Sequence, residues 1–327
     1  MTPVTAITGS TGFIGPHLVR RLLKTGHRLR LLVRRRPEQF ETIPGDVELV
    51  FGDVRDSDKV EELIKGAKDV YHLAGCARAW VRDEKEYFET NVLGTKNVCE
   101  ACTEFGVDRL IHMSTALTVT PPGQEYAPIL TEYQRTKVIA EEVVQEHVDG
   151  GLHAVTVQPS RVFGPGLMSQ ANSATKMIDL YRRGLFRFRL SDGDARGNYL
   201  FVSDVVDAMI KASHSAPAGE QYPLGGEDLT VMQFIGKISE ITGRNFNTIA
   251  LPLSAARIVA FFAEAGGVLG IPPLISRDWT TLLSRDWPVD SSKAALGLDF
   301  KPKPVSEALA LTLRWLDEGE PSIDFTN

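Results

Sequence analysis

A strand, a glycine turn and a helix follow one another at the start of this chain. Val4 to Ile7 is an apolar, β-branched run of the kind that forms a buried strand. A helical apolar pattern begins at Phe13 and Ile14. Three glycines come between them, at Gly9, Gly12 and Gly15. A helix N-terminus presents unpaired N–H groups and partial positive charge, and glycines allow close approach, so this order predicts a dinucleotide-binding site.

The alternation of strand and helix continues through the first half of the chain. Further strands are predicted at Arg28–Val33, Val47–Phe51, Asp69–Leu73, Asp108–Met113 and Ala154–Gln158. Helices are predicted at about Ser57–Lys65, Glu84–Phe105 and Thr131–His147. Such βαβ units predict an α/β fold with a doubly wound parallel sheet. We expect residues 1–165 to bind the dinucleotide and residues 166–327 to form a smaller, partly interleaved substrate-binding portion.

The glycine spacing is G-x-x-G-x-x-G, within the phrase T-G-S-T-G-F-I-G. This phrase resembles the extended short-chain dehydrogenase/reductases of the NAD-dependent epimerase/dehydratase superfamily. The pattern is most similar to the group of dihydroflavonol reductases and 3β-hydroxysteroid dehydrogenases. The resemblance implies a Rossmann fold. It also implies that the loop residues meet the cofactor, namely Gly9, Thr11, Gly12, Phe13, Ile14 and Gly15.

Tyr133 and Lys137 form a Y-x-x-x-K pair in a predicted helix. A spacing of four places both side chains on one helix face. An ammonium beside a phenol lowers the pKa of the phenol, which makes tyrosine usable as a general acid or base. Seven tyrosines make a chance match possible. However, the resemblance places the catalytic tyrosine and lysine of the family at this helix, where both also meet the cofactor.

A catalytic hydroxyl is expected where the fifth predicted strand ends, in I-H-M-S-T-A. The resemblance favours Thr115 as the catalytic residue and leaves Ser114 beside the cofactor. In the alternative interpretation both hydroxyls only satisfy backbone groups at a strand end. Ala116 and Leu117 follow, where similar dehydratases have Asp-Glu, so the chain lacks the acid/base residues for water elimination.

The end of the second predicted strand indicates which dinucleotide binds. NAD sites place an acidic residue there to hold the ribose 2′-hydroxyl. Here Val33 is followed by Arg34, Arg35 and Arg36, and guanidinium groups suit a 2′-phosphate. We therefore expect NADP(H) in preference to NAD(H), the alternative being a solvated basic loop.

The resemblance implies further cofactor contacts, for which a packing role is an equal alternative. These are Asp53 and Val54 at the adenine, Ala74 and Gly75 under the cofactor, and Pro159 and Val162 beside the nicotinamide. Asn91 matches an asparagine that is structural or linked to the active site in the family.

The composition excludes several classes of function. A net charge of −6 argues against nucleic acid as a partner. Three cysteines fit a reduced, cytoplasmic protein, and the seven histidines show no ligand spacing, so no metal is expected. No signal peptide is recognised at the N-terminus. The apolar stretch Ile249–Ile275 is interrupted by charges, glycines and prolines, so it is not expected to span a membrane. It predicts an amphipathic helix, and peripheral contact with a membrane is the alternative.

The expected activity is NADP(H)-dependent hydride transfer between the cofactor and a ketone or secondary alcohol. Trp80 to Asp83 and the run around Phe261 and Phe262 resemble reductase and steroid-dehydrogenase relatives, which implies a small, fairly apolar substrate, with packing at the surface as an equal alternative. The first alternative is a nucleotide-sugar 4-epimerase or ketoreductase, although Arg196 is one residue out of register for a diphosphate-binding arginine. The second is a non-catalytic NADP(H)-binding protein. The resemblance also implies a possible homodimer through helices at about Glu84–Phe105 and Thr131–His147.

Overall fold

Strands and helices alternate along most of the chain. The structure is a computed structural model that describes residues 3–35, 47–168, 172–186, 188–190, 195–268, 273 and 275–318. The strands are β1 (Val4–Thr8), β2 (Arg28–Val33), β3 (Val47–Phe51), β4 (Ala67–His72), β5 (Arg109–Met113), β6 (Ala154–Pro159), β7 (Arg161–Phe163), β8 (Phe188–Leu190), β9 (Arg196–Phe201), β10 (Gln221–Leu224), β11 (Glu227–Thr230) and β12 (Ile249–Leu251). The helices are α1 (Gly15–Lys24), α2 (Ser57–Ile64), α3 (Lys85–Phe88), α4 (Gly94–Glu104), α5 (Glu132–Asp149), α6 (Ser173–Arg182), α7 (Val202–Ser215), α8 (Val231–Thr242), α9 (Leu253–Val268), α10 (Arg277–Leu283), α11 (Ser292–Leu298) and α12 (Val305–Asp317).

Seven parallel strands form the main sheet, in the order β3-β2-β1-β4-β5-β6-β10. The chain winds outward from β1 in one direction and then, from β4, in the other. This confirms the predicted doubly wound parallel sheet. In such a sheet ligands bind beyond the carboxyl ends of the strands, near the point where the winding reverses. Here that point lies between β1 and β4.

The two faces of this sheet carry separate cores, because neighbouring residues of a strand point to opposite sides. One core contains Ile7, Tyr71, Ile111 and Val155 together with side chains of α1 and α7. The other core contains the residue before each of these, Ala6, Val70, Leu110 and Ala154, with side chains of α2, α4 and α5. Strands buried on both faces explain the continuous apolar runs in the sequence.

The later part of the chain contributes to the sheet and also builds a core of its own. β10 pairs with β6, so the seventh strand comes from beyond residue 165. A three-stranded sheet, β11-β9-β7, and the parallel pair β12-β8 lie outside the main sheet. A third apolar cluster joins β9, α6, α8 and α12, and the side chain of Phe13 belongs to it. The loop after β1 therefore touches the later part of the chain.

The helix predicted over Glu84–Phe105 is divided into three pieces. A π-helical turn at Glu89–Leu93 separates α3 from α4 and buries Asn91. Single π turns insert one extra residue and commonly occur where a helical side chain has a functional position. Cys99 and Cys102 are buried on α4 as free thiols, and burial raises the pKa of Cys99 to about 12.

Among the described residues, no helix has the length and apolarity to cross a bilayer. The same residues contain no group of three or more His, Cys, Asp or Glu side chains arranged to hold a metal ion.

Candidate active site

The glycine turn brings β1, β4 and α1 into close contact. Gly9 has φ +71°, and a Cβ there would lie 2.5 Å from the carbonyl carbon of Leu73. A Cβ on Gly15 would lie 2.3 Å from the carbonyl oxygen of Gly9. Gly12 differs, because it is exposed and a Cβ there would have only the Gly9 oxygen close to it, at 3.3 Å. Gly9 and Gly15 are thus required by the packing of the protein itself, whereas Gly12 leaves its backbone exposed just before α1.

Three buried hydroxyl oxygens at the carboxyl ends of sheet strands have no hydrogen-bond partner among the described residues. They are Ser10 Oγ after β1, Ser114 Oγ after β5 and Ser160 Oγ after β6. Buried polar atoms are nearly always paired, so unpaired ones require an explanation. A polar ligand that crosses this edge of the sheet would pair them. The hydroxyls and the open backbone at Gly12 therefore fit a dinucleotide, and sequence reasoning missed Ser10 and Ser160.

Thr115 and Ser114 have different environments at the end of β5. Thr115 begins the 3₁₀ turn at Ala116–Thr118, where its Oγ1 accepts a hydrogen bond from the N–H of Leu117 at 3.3 Å. The Thr115 side chain also lies close enough to that of Tyr133 to lower the pKa of its phenol. Ser114 Oγ makes no such contact. Of the two hydroxyls, that of Thr115 is the one beside the tyrosine.

The first turn of α5 holds Tyr133 in place. Thr131 caps the helix by accepting from the N–H of Gln134 at 3.1 Å. The buried Gln134 donates to the carbonyl of Leu117 at 2.7 Å, which ties α5 to the turn that carries Thr115. The Tyr133 ring packs against a small cluster that contains Cys76 and Tyr87. No local sequence pattern indicates the connecting role of Gln134.

Lys137 lies one turn after Tyr133, but its amine is bound to β5. The buried Nζ donates to the carbonyl of Met113 at 2.8 Å and lies 3.4 Å from Nε2 of His112. Burial lowers the pKa of Lys137 to about 8. Burial, with the nearby lysine, also keeps the pKa of His112 well below its usual value, so this imidazole is neutral and can accept a hydrogen bond.

The expectation that Lys137 lowers the pKa of Tyr133 is wrong for this arrangement. Burial raises the pKa of Tyr133 to about 12, and the nearby Thr115 side chain only partly opposes it. The shared helix face was inferred correctly from the spacing. The partner of the amine on β5 is a tertiary contact that spacing does not encode.

Asn91 connects the turn after β4 to α5. Its Oδ1 accepts from the N–H of Cys76 at 2.7 Å, and its Nδ2 donates to Thr136 Oγ1 at 3.1 Å. A Cβ on Gly75 would lie 3.3 Å from the same Oδ1. The backbone N–H of Ala74 donates to Thr8 Oγ1 at 3.2 Å. These contacts fix the turn that contains Ala74 and Gly75 beside the glycine loop.

The remaining positions expected at the cofactor lie at the same edge of the sheet, with differing exposure. Arg34 and Arg35 follow β2 and are exposed, whereas Arg36 lies outside the described residues. Asp53 follows β3, and Arg55 Nε donates to its carboxylate at 2.9 Å, which lowers the pKa of Asp53 against the effect of burial. No carboxylate stands directly after β2 in the described residues.

Other side chains at these positions are used for packing. The side chain of Val54 packs against Gly94, and a Cβ added to Gly94 would lie 2.7 Å from Cγ1 of Val54. Phe13 is buried in the third cluster, with Ile14 and Val162 against it. Pro159 ends β6. These residues present mainly backbone to a ligand, while Thr11 is half-buried and Gly12 exposed.

Two hydrogen bonds connect the later part of the chain to residues that follow β5 and β6. The indole Nε1 of Trp287 donates to the carbonyl of Ala116 at 2.8 Å. Nη2 of Arg161 donates to the carbonyl of Leu282 at 3.3 Å. Since Ala116 follows Thr115 and Arg161 follows β6, both bonds join the segment around α10 to the edge where Tyr133 lies.

Side chains of α10 help to line an apolar cavity. It lies between α6, β8, α8, β12, α9 and α10, and its lining includes Met177, Phe188, Met232, Leu251, Trp279 and Leu283. Arg189 is the charged residue in this lining, and its Nε has no hydrogen-bond partner among the described residues. Phe261 and Phe262 do not line this cavity and are exposed instead.

Comparison with known proteins places this architecture in a family. A "Putative dihydroflavonol 4-reductase" of Synechocystis sp. is 27% identical over 94% of this chain and 93% of its own length. "Sterol demethylase protein B" of Methylococcus capsulatus is 27% identical over 96% of this chain and 98% of its own. The crystal structure of gox2253 is 28% identical, with a TM-score of 0.79 over 97% of this chain and 98% of that one.

Residues 5–225 match the family described as "NAD dependent epimerase/dehydratase family". This range includes the glycine turn, the hydroxyl pair after β5 and the Tyr-Lys helix. The chain belongs to this family, within the extended short-chain dehydrogenases/reductases, and is an enzyme of its oxidoreductase and epimerase type.

Proposed function

We propose that this enzyme is an NADP(H)-dependent oxidoreductase that acts on a ketone or secondary alcohol of a small, fairly apolar molecule. The proximity of the Thr115 and Tyr133 side chains, at the edge of the sheet that carries the glycine turn, is the observation that carries the proposal. It places two hydroxyl groups where one substrate oxygen could meet both. When bound, the nicotinamide would supply or accept the hydride.

Tyr133 acts as the proton donor in this proposal. A pKa of about 12 keeps its phenol protonated at neutral pH, which suits a group that gives a proton to the oxygen of a ketone. Thr115 would donate a second hydrogen bond to the same oxygen as negative charge develops on it. Lys137, held at Met113 and one turn from Tyr133, would hold the cofactor ribose.

NADP(H) is the proposed cofactor because of the charges after β2. Arg34 and Arg35 are exposed there, and Asp53 on the neighbouring strand is already bound by Arg55. A guanidinium pair suits a 2′-phosphate, whereas a free carboxylate would suit a 2′-hydroxyl. In this proposal residues 1–165 hold the cofactor and residues 166–327 supply most of the substrate contacts.

The proposed substrate class is supported by the cavity that α10 helps to line. Its lining is mainly apolar, as in sites that bind largely apolar molecules. The two relatives described above carry names of a flavonol-type reductase and a sterol demethylase protein. Both names are consistent with a largely apolar substrate.

Replacement of Tyr133 by Phe tests the mechanism. We expect NADPH binding to be retained and turnover of an apolar ketone panel to fall by roughly 10²–10⁴-fold, since the proton donor is lost. Fluorescence titration measures the binding, and NADPH oxidation measures the turnover. Tyr126→Phe is the matched control, because Tyr126 is 71% exposed, and it should behave as wild type. Unchanged turnover in Tyr133→Phe would contradict the mechanism.

Replacement of each hydroxyl after β5 tests the choice between them. Thr115→Ala should lower turnover by about 10²-fold, because a hydrogen bond to the developing oxyanion is lost. Ser114→Ala should raise the KM for NADPH more than it lowers kcat. The reverse pattern would assign the catalytic hydroxyl to Ser114.

A nucleotide-sugar 4-epimerase or ketoreductase is the second candidate, and the family description favours it. Arg196 begins β9 and is exposed, as a residue that binds a diphosphate could be. An epimerase uses its cofactor in both directions and retains it. Tightly held NAD(H) after purification, together with epimerisation of a UDP-sugar, would support this candidate over the first.

A further inference from the structure

Helix α9 presents its large apolar side chains to solvent and its small ones to the protein. Ile258, Val259, Phe261 and Phe262 are exposed by 60, 50, 55 and 68%. Ala256 and Ala260 are buried, and Gly267 packs against Trp80, where a Cβ would meet the indole ring at 2.7 Å. An ordinary surface helix buries its large apolar residues and exposes its polar ones. The orientation of α9 is the opposite.

Strands β8 and β12, which help to line the cavity, also carry exposed apolar side chains. Ile249 of β12 is 60% exposed and pairs in register with Phe188 of β8, which is 52% exposed. Phe188 also lines the cavity, as does Met232, which is 41% exposed. We define the apolar face as Phe188, Ile249, Ile258, Val259, Phe261 and Phe262. Several large apolar side chains exposed near a cavity commonly mark an interaction site.

The charges of α9 indicate what covers this face. The helix has two charged residues, and they are placed differently. Arg257 is exposed among the apolar side chains. Glu264 is turned inward, with a side chain only 11% exposed, and binds Arg277 through Nε at 2.7 Å and through the backbone N–H. The acidic charge is therefore neutralised within the protein, and the basic charge faces outward with the aromatic rings.

Aromatic and aliphatic side chains around an exposed arginine are complementary to an anionic lipid surface. The rings enter the boundary between headgroups and acyl chains, while the guanidinium pairs with lipid phosphate. We propose that the apolar face docks on an anionic lipid surface, so that the mouth of the cavity opens toward molecules dissolved in the lipid. The docking does not depend on the proposed reaction, although it would supply the apolar substrate class proposed above.

Sedimentation with phosphatidylcholine vesicles, with and without phosphatidylglycerol, tests the docking. The wild-type protein should sediment with both compositions and more strongly with the anionic one. Phe261→Ser combined with Phe262→Ser should weaken binding at least about tenfold, since two aromatic rings can then no longer enter the lipid. Arg257→Gln should weaken binding to the anionic vesicles about fivefold and leave binding to pure phosphatidylcholine unchanged.

Leu296→Ser is the matched control. Leu296 is 89% exposed on α11, outside the apolar face, so its loss should leave vesicle binding as in wild type. All variants should keep wild-type unfolding temperatures and NADPH binding, which separates failure of the docking from failure of the proposed function. Wild-type protein that does not sediment, or a double variant that sediments like wild type, would overturn the proposal. A wild-type dimer that the double variant converts to a monomer would also overturn it and assign the face to a second copy of the chain.

Discussion

Helices α1 and α9 each border a proposed ligand site, and they pack in opposite ways. Helix α1 buries Leu18, Val19 and Leu22 completely against the sheet. Helix α9 buries alanines and exposes phenylalanines. The backbone around α1 leaves no room for an added carbon at Gly15, whereas the region of α9 encloses a cavity. The comparison contrasts a closely packed glycine turn beside α1 with an apolar surface and a cavity near α9.

The largest expected effect is at the glycine turn, where a substitution would disrupt the close packing around α1. Gly15→Ala should destabilise the protein by about 3 kcal/mol or more and abolish NADPH binding, because its Cβ would overlap the Gly9 oxygen at 2.3 Å. Urea unfolding and NADPH titration measure the two effects. Gly266→Ala in α9 is the control, since nothing lies within 4 Å of its Cβ. It should stabilise by up to about 1 kcal/mol, and equal effects at both glycines would remove the contrast.

The second prediction concerns the buried amine of Lys137 in the candidate active site. The pKa of Lys137 is about 8 in the folded protein, against 10.5 for an ordinary lysine. Between these pH values the unfolded chain binds more protons than the folded one, so stability rises with pH. Relative to Lys137→Met, the wild type should gain about 3 kcal/mol from below pH 8 to pH 10.5. Urea unfolding of both proteins at the two limits measures it, and a constant difference would place the amine in water.

The third prediction concerns the cofactor preference at the edge of the candidate active site. Replacing Arg34 and Arg35 by Ser should lower the preference for NADPH over NADH by about 10- to 100-fold, equal to about 1.4–2.8 kcal/mol. The ratio of kcat/KM for the two cofactors measures it. Arg28→Ser is the control, because Arg28 is exposed at the opposite end of β2. An unchanged ratio would assign the arginines to a solvated loop.

The fold around α1 was predictable for a physical reason. Strands of a parallel sheet carry short apolar runs, which made the six strands from Val4 to Pro159 recognisable in the sequence. The Tyr-Lys spacing likewise predicted a shared helix face. The amine partner at Met113 and the bond from Gln134 to Leu117 are tertiary contacts, and no local pattern encodes them.

The region of α9 was less predictable, because periodicity shows that a helix has two faces but not which one is buried. The sequence allowed Phe261 and Phe262 either in the pocket or on the surface, and the structure exposes them. Gly267 of α9 packs against Trp80, which lies far away in the sequence, and such tertiary contacts decide which face of the helix is buried. Strand β10 also joined the main sheet without a sequence signal.

The hydrogen bond from Trp287 to Ala116 has a consequence for the design of chimeras. Residues after 165 are the natural unit to exchange between relatives when a new specificity is wanted. Trp287 belongs to that unit, yet its indole holds the turn that begins at Thr115. A transplanted unit without an N–H donor at this place would leave the Ala116 carbonyl unpaired and loosen the turn. If the proposed roles hold, specificity and reactivity are joined through one indole, which a successful graft must retain.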